Sequence, residues 1–309
     1  MILHQLTDRT EARLEAALER FASMFTYPLG AAARFSVSHG EDHIRFFRAI
    51  GRACCVVAEL DGEVVGTLSG AVRILRTPDG PRRVLYLGDL KIQVMARGGT
   101  TLLRLARTMQ AWAGPQVNAG YAVVMDGTAV TPERYTGRLG IPVFTVVGRL
   151  AILRIPSAPG AVSWAVEQAS GTYQALTAGY LAGDGSEAGA RLRSRMPPQW
   201  LCAPDGGACG RIEDTCLAKR LLTDGGTELS SAHLSAFAWR DADSAAGLLR
   251  QAAAVAHAQG LPALFVAVMA GQAPALMEKF GAAGITVAPA TIYAHGIAAS
   301  PWIIDTAEI

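Results

Sequence analysis

A short pattern in this chain occurs twice. Asp61-Gly62-x-x-x-Gly66 returns as Asp205-Gly206-x-x-x-Gly210, 144 residues later. Met125-x-Gly127 returns as Met269-x-Gly271 at the same offset, and Leu102-Leu103-Arg104 as Leu248-Leu249-Arg250 at an offset of 146. Arg138-Leu139-Gly140 has its counterpart in Lys279-Phe280-Gly281. Ordered matches at near-constant spacing read as a tandem duplication. The chain must then fold as two copies of one unit, residues 1–155 and 156–309, joined at Pro156-Ser157-Ala158-Pro159-Gly160. Each copy has the size of an ordinary domain.

The composition suits two packed units. Half of the 309 residues are hydrophobic, which argues against disorder. Arg, Asp, Gly or Pro breaks every apolar run before it reaches membrane-spanning length, so no membrane partner is expected. The N-terminus MILHQLTDRTEARLE has no basic region followed by an apolar core, and a cytoplasmic location is the default expectation. Five cysteines, an odd number without a CxxC pair, argue against a disulfide framework and a zinc site, and no metal is expected. Residues 1–155 carry 19 Lys+Arg against 13 Asp+Glu, and residues 156–309 carry 9 against 13. The first half therefore suits a polyanionic ligand. Its basic residues are scattered, without runs or aromatic interleaving, so nucleic acid is not an expected partner.

Local patterns give the elements of the first copy. ILHQL reads as a strand, and Thr7-Asp8 as the cap of a helix carrying Leu14, Ala17 and Phe21 inward. Tyr27-Pro28-Leu29-Gly30 ends that helix, and a second helix is expected over Glu41–Ile50. His39 and His43 flank its start, where a solvated helix start is preferred to a substrate contact. CCVVAEL, Asp61-Gly62 and EVVGTLSGAVRIL form a hairpin, in which Cys54 and Cys55 point to opposite faces. RRVLYLGDLKIQVM is a long strand, Tyr121–Met125 another, Thr131-Pro132-Glu133 opens a short helix, and VFTVVGRLAILRI supplies a last strand or strand pair.

The most chemically informative stretch is Asp89–Trp112, DLKIQVMARGGTTLLRLARTMQAW. It reads as strand, glycine turn and helix. Gly98 and Gly99 carry no side chains to keep a ligand off the backbone, and N–H groups at a helix start beside Arg97 make an anion site. A plain strand-to-helix turn is the alternative. The stretch resembles the acyl-CoA-binding core of the GCN5-related N-acetyltransferases (GNAT), whose central strand ends in an Arg/Gln-x-x-Gly-x-Gly/Ala loop. Arg97, Gly98 and Gly99 match its glycine core, Thr101 replaces a Gly or Ala, and the loop is about one residue shorter. The element order β-α-α-β-β-β-α-β-α-β over residues 1–155 matches the same family.

The resemblance implies an α/β (α+β) fold of two tandem GNAT-like domains, each a mixed, mostly antiparallel sheet flanked by helices. It implies acetyl-CoA or another acyl-CoA as cosubstrate and a small-molecule or peptide amine as acceptor, and it is compatible with a homodimer. Arg97, Gly98, Gly99, Thr100 and Thr101 would hold the pyrophosphate. Leu90, Ile92 and Val94 would line a split beside the central strand that frees backbone N–H groups for the thioester. Asp89 is the first candidate base, its alternative being an edge carboxylate after Gly88. Asp126 is the second, its alternative a turn cap, and it would stand by the cofactor. Tyr135 in RYTGRLGI matches the family's Tyr-x-x-x-Gly-Phe acid with one extra residue before the glycine, its alternative being packing. In the second copy Asp241-Ala242-Asp243 replaces the glycines and Met277 stands at the tyrosine position, so that copy is expected to keep the fold without the cofactor site. Two rival functions remain: a non-catalytic acyl-CoA-binding module, and other acyl-CoA chemistry such as decarboxylation or transfer of a longer chain. Pocket depth beside the thioester separates the chain lengths.

Overall fold

The computed structural model describes residues 1–29, 33–97 and 99–309. In chain order the elements are β1 (Ile2–Leu6), α1 (Ala12–Ser23), β2 (Thr26–Leu29), β3 (Ala33–Ser38), α2 (Arg45–Arg48), β4 (Arg52–Leu60), β5 (Glu63–Thr77), β6 (Gly80–Ile92), α3 (Thr101–Ala113), β7 (Gly120–Met125), α4 (Pro132–Tyr135) and β8 (Thr145–Pro156). They continue with β9 (Ala165–Val166), α5 (Ser170–Leu176), α6 (Glu187–Arg193), β10 (Gln199–Cys202), β11 (Ala208–Glu213), β12 (Arg220–Thr223), β13 (Ala232–Trp239), α7 (Ala242–Ala258), β14 (Ala263–Met269), α8 (Ala273–Phe280) and β15 (Thr286–His295).

Twelve strands form one sheet in the order β1-β4-β5-β6-β7-β15-β8-β14-β13-β11-β10-β9. Most pairs are antiparallel; β6–β7 and β13–β14 are parallel. The last strand of each half lies at the centre. β15 pairs with β7 through Ala290–His295 and with β8 along its other edge, and β8 also pairs with β14. The two halves thus share one uninterrupted ladder. A side sheet, β12-β3-β2, joins them again.

Local chemistry explains the hairpins. Asp61 and Gly62 both hold positive φ, 52° and 85°, which matches the right-handed twist of β4 and β5 on either side. Cys54 faces α3 through Leu105 and Met109, while Cys55 faces a second core containing Leu18, Phe21 and Phe47. The repeated glycines have a shared packing role. A Cβ on Gly66 would meet Leu105 of α3, and one on Gly210 would meet Leu248 of α7. Each glycine lets its helix approach the sheet closely.

Three expectations need correction. The first helix starts at Ala12 after Glu11, with no side-chain cap, so Thr7-Asp8 lies outside it. Only Arg45–Arg48 is helical within Glu41–Ile50, because turns occupy the residues before it. Thr26–Leu29 is a strand rather than a helix end, and it pairs with β3. β3 takes its other partner, β12, from the second half of the chain, which no local pattern announces.

Candidate active site

The parallel ladder between β6 and β7 holds Leu85–Gly120, Tyr86–Tyr121 and Leu87–Ala122, and ends there among the described residues. Beyond it the strands part. On the other edge of β6, Ser69 pairs with Gly88 but Thr67 with Lys91, so Asp89 and Leu90 together oppose Leu68. This is a β-bulge, with Asp89 at φ 50°. Bulges re-aim side chains, and a non-glycine residue at positive φ is costly enough to invite a functional reading. The Thr67 hydroxyl donates to the Asp89 carbonyl at 2.8 Å and holds the bulge in place.

The parting opens into a cavity of about 310 Å³. Leu87, Asp89, Leu90, Leu102 and Ala106 line one side, and Val123, Met125, Pro132 and Tyr135 the other. Its far wall contains Phe35, Phe46, Phe47, Leu221 and Phe265. The polar atoms gather around Asp89. Its Oδ2 lies 2.7 Å from His39 Nε2 and 3.7 Å from His43 Nε2, and its Oδ1 lies 3.2 Å from Lys91 Nζ. Burial opposes ionisation of Asp89, but Lys91 and the His39 ring outweigh it and hold the carboxyl well below the usual range. Burial, aided by His39, drives His43 down to about 3, so its ring is neutral.

The second half contributes to this site. The Ala218 carbonyl oxygen meets His39 Nδ1 at 2.9 Å. Lys219 lines the cavity, and its Nζ donates to the backbone oxygens of Thr306, at 3.0 Å, and Ile309. Burial, with Arg193 nearby, lowers Lys219 to about 7. A folded-state value below the unfolded one means that wild-type stability falls as pH drops from about 10.5 towards 7. Lys219→Met lacks this titration. It should therefore gain on wild type as pH falls through that window, by at most about 1.4 kcal/mol per pH unit. Parallel denaturant melts measure the gain, and a flat difference would contradict the lowering of the buried amine.

The site residues expected from sequence are distributed unevenly. Asp89, Leu90 and Tyr135 line the same cavity. Burial raises the Tyr135 phenol to about 12, so it is protonated at neutral pH. Ile92 packs with the α3 core, and Val94 lies exposed on a turn of 3₁₀-helix. Arg97, Gly99 and Thr100 are exposed at the start of α3, and Arg97 Nε donates to the Ile92 carbonyl at 3.2 Å. Gly98 lies outside the described residues. Thr101 is buried, with its hydroxyl 3.6 Å from the Met1 sulfur. Asp126 accepts from the Thr291 hydroxyl at 2.7 Å. Lys91 and Lys219 were missed. The first looked like one residue of an ordinary strand, and the second sits in the other half with no motif around it.

The second half repeats the bulge and closes it. Phe237 and Ala236, the latter at φ 50°, oppose Gly210, and β13 leaves β14 after His233–Phe265. Here, however, Asp305 fills the parting, accepting from the Ala236 N–H at 2.7 Å. Thr306 adds contacts to His233 Nδ1 at 3.0 Å and to the Phe265 carbonyl at 3.3 Å. Asp241 caps α7 by accepting from Ser244 N at 2.9 Å.

No protein-family model matches the sequence, and no curated protein matches it significantly. Solved structures do match. N-myristoyltransferase from Saccharomyces cerevisiae, solved with bound myristoyl-CoA, superposes with a TM-score of 0.65 at 9% identity, covering 97% of this chain and 84% of that one. A GCN5-related N-acetyltransferase from Anabaena variabilis gives 0.53 at 13% identity, covering 95% and 72%. A putative acetyltransferase from Pyrococcus horikoshii gives 0.51 at 12%, covering 79% and 74%. At such identities the likeness is one of fold. The chain has the GNAT-like α/β fold, carried twice along one polypeptide.

Proposed function

We propose that this chain transfers an acyl group from acyl-CoA to an amine, using the parting of β6 and β7 in its first half. The observation that carries this reading is the parting itself: it opens at the Asp89 bulge into a cavity with the Asp89 carboxylate in its wall. A thioester laid beside Leu90, where β6 leaves β7, would place its carbonyl oxygen against backbone N–H groups that stabilise the charge developing there, with Ile92 and Val94 further along the chain. Arg97, Gly99, Thr100 and the start of α3 would receive the pyrophosphate, with Gly98 and Thr101 in the same loop and Asp126 beyond β7. The domain division at residue 155 belongs to this reading, with the first unit as the acyl-CoA binder. The fold neighbours support it, since they include an N-myristoyltransferase and N-acetyltransferases.

In the reaction the amine nitrogen attacks the thioester carbonyl carbon, the C–S bond breaks, and the thiolate leaves. Tyr135 would supply the proton for the thiolate. Asp89, kept ionised, would attract the amine, and the proton lost on attack would pass, directly or through a water, by way of the carboxylate to solvent. The size and apolar lining of the cavity favour a chain longer than acetyl. One methyl would leave most of the space without contacts, against the close packing of protein interiors. Apolar burial adds roughly 0.8 kcal/mol per methylene.

Thiol release with acyl-CoAs of increasing chain length and a panel of amines tests this reading. Turnover should rise with chain length from acetyl and then fall once the cavity is full; no thiol release above hydrolysis with any pair would refute it. Tyr135→Phe should lower kcat about tenfold or more while leaving acyl-CoA affinity nearly unchanged. A kcat within twofold of wild type would return Tyr135 to packing. Because Asp305 fills the second parting, calorimetric titration should give one acyl-CoA per chain. Two would mean that the filled site opens.

A further inference from the structure

We propose that His39, His43 and Asp89 form a binding site for one divalent transition-metal ion, zinc being the best fit, in the wall of the cavity. The donor atoms of the three residues lie within 4.8 Å of one another. Two imidazoles and a carboxylate are a three-ligand set that zinc accepts, leaving a fourth position open.

Each ring turns a nitrogen towards the same carboxylate oxygen. His39 has an oxygen acceptor at both nitrogens, the Ala218 carbonyl at 2.9 Å and Asp89 Oδ2 at 2.7 Å. If Nδ1–H donates to the carbonyl, the Nε2 lone pair faces a carboxylate oxygen, and only a proton or a metal ion between them removes the clash. A backbone carbonyl on the outer nitrogen is also how metal-bound histidines are commonly oriented. His43 is 4% exposed, and its Nε2 has no hydrogen-bond partner although it faces the same Asp89 oxygen at 3.7 Å. A buried polar atom without a partner calls for an unseen water or ion.

The distances agree. Two ligands on zinc at a tetrahedral angle stand about 3.3 Å apart, given bonds of about 2.0–2.1 Å. The two Asp89–histidine distances bracket that spacing. Lys91 lies on the other carboxylate oxygen, Oδ1, and fixes the carboxylate so that Oδ2 faces the rings. Its positive charge opposes a second cation. Glu15, itself buried, accepts from the His43 backbone N–H at 3.1 Å. Asp89 and His39 line the cavity, so the fourth position faces the substrate. A water there would have its pKa lowered towards about 7 and would become the base that removes the amine proton. That role rests on the acyl-transfer reading; the binding of the ion does not.

The test uses the full chain, freed of metal by a chelator, then titrated with zinc and, separately, cobalt(II). Mass spectrometry of metal content should give one zinc per chain after dialysis. The cobalt form should show the intense visible bands of a four-coordinate site. His43→Ala, with its fold checked by circular dichroism, should weaken zinc at least about tenfold. Less than a tenth of an equivalent of zinc, together with no four-coordinate cobalt spectrum, overturns the site. So does a His43→Ala protein that binds zinc as wild type does. Should that variant fail to fold, the wild-type cobalt spectrum decides by itself. Acyl-CoA titrated into the metal-free protein keeps the two readings apart: binding there with no metal uptake would leave the transferase proposal standing alone.

Discussion

Glu213→Ala is expected to lower folding stability by about 3–5 kcal/mol, enough to unfold many single domains. Glu213 is fully buried and holds two guanidinium groups. Arg193 donates through Nε and Nη2 at 2.8 and 3.0 Å, and Arg211 through Nη2 at 3.2 Å. Both arginines are 1% exposed. Removing the carboxylate strands two charges where water cannot replace it. Glu308 offers partial relief to Arg193, at 3.2 Å, but it is already shared with Arg73. Burial opposes the charge of Arg193, and Glu213 and Glu308 hold it on. Urea denaturation measures the loss, and a cost under 1 kcal/mol would mean that the pocket rehydrates. The consequence reaches the cavity, because Leu217 N bonds Arg193 O just before Ala218 and Lys219. A weakened network should therefore loosen the segment that holds His39.

Asp89→Asn is expected to reduce turnover by about 10²–10⁴-fold, with acyl-CoA affinity within about twofold of wild type. The substitution preserves shape and removes charge. An amide cannot balance Lys91, whose Nζ is buried 3.2 Å away, and gives the amine no anion to approach. Thermal melts should accompany the kinetics, because a stranded Lys91 also costs stability. If kcat stays within threefold in a folded variant, the cluster around Asp89 is structural, and the chemistry lies elsewhere in the cavity.

Much of this protein was legible in its sequence for local reasons. The Asp61-Gly62 hairpin follows from two residues that tolerate positive φ, and the strand–turn–helix after Asp89 from apolar period and glycine. The repeat of Gly66 at Gly210 reflects the same steric demand, a helix lying on a side-chain-free patch of sheet. Tyr135 is singled out by a family pattern and Asp89 by its place on the strand before the glycine turn, and both line the cavity.

Tertiary structure alone decided the rest. No local signal tells β15 to lie between β7 and β8, because strand edges choose partners by shape and free hydrogen-bonding groups across the whole chain. His39 resembled a solvated helix start, yet β3 pairs with a strand nearly two hundred residues away, which buries the ring and brings Ala218 onto its nitrogen. Lys219 became part of the cavity by the same pairing. The second parting was predicted to be poor from its aspartates at 241 and 243, but what fills it is Asp305, sixty-nine residues beyond the bulge it plugs. Sequence fixes what each residue can do; which residues meet depends on long-range contacts whose energies exist only once the sheet has closed.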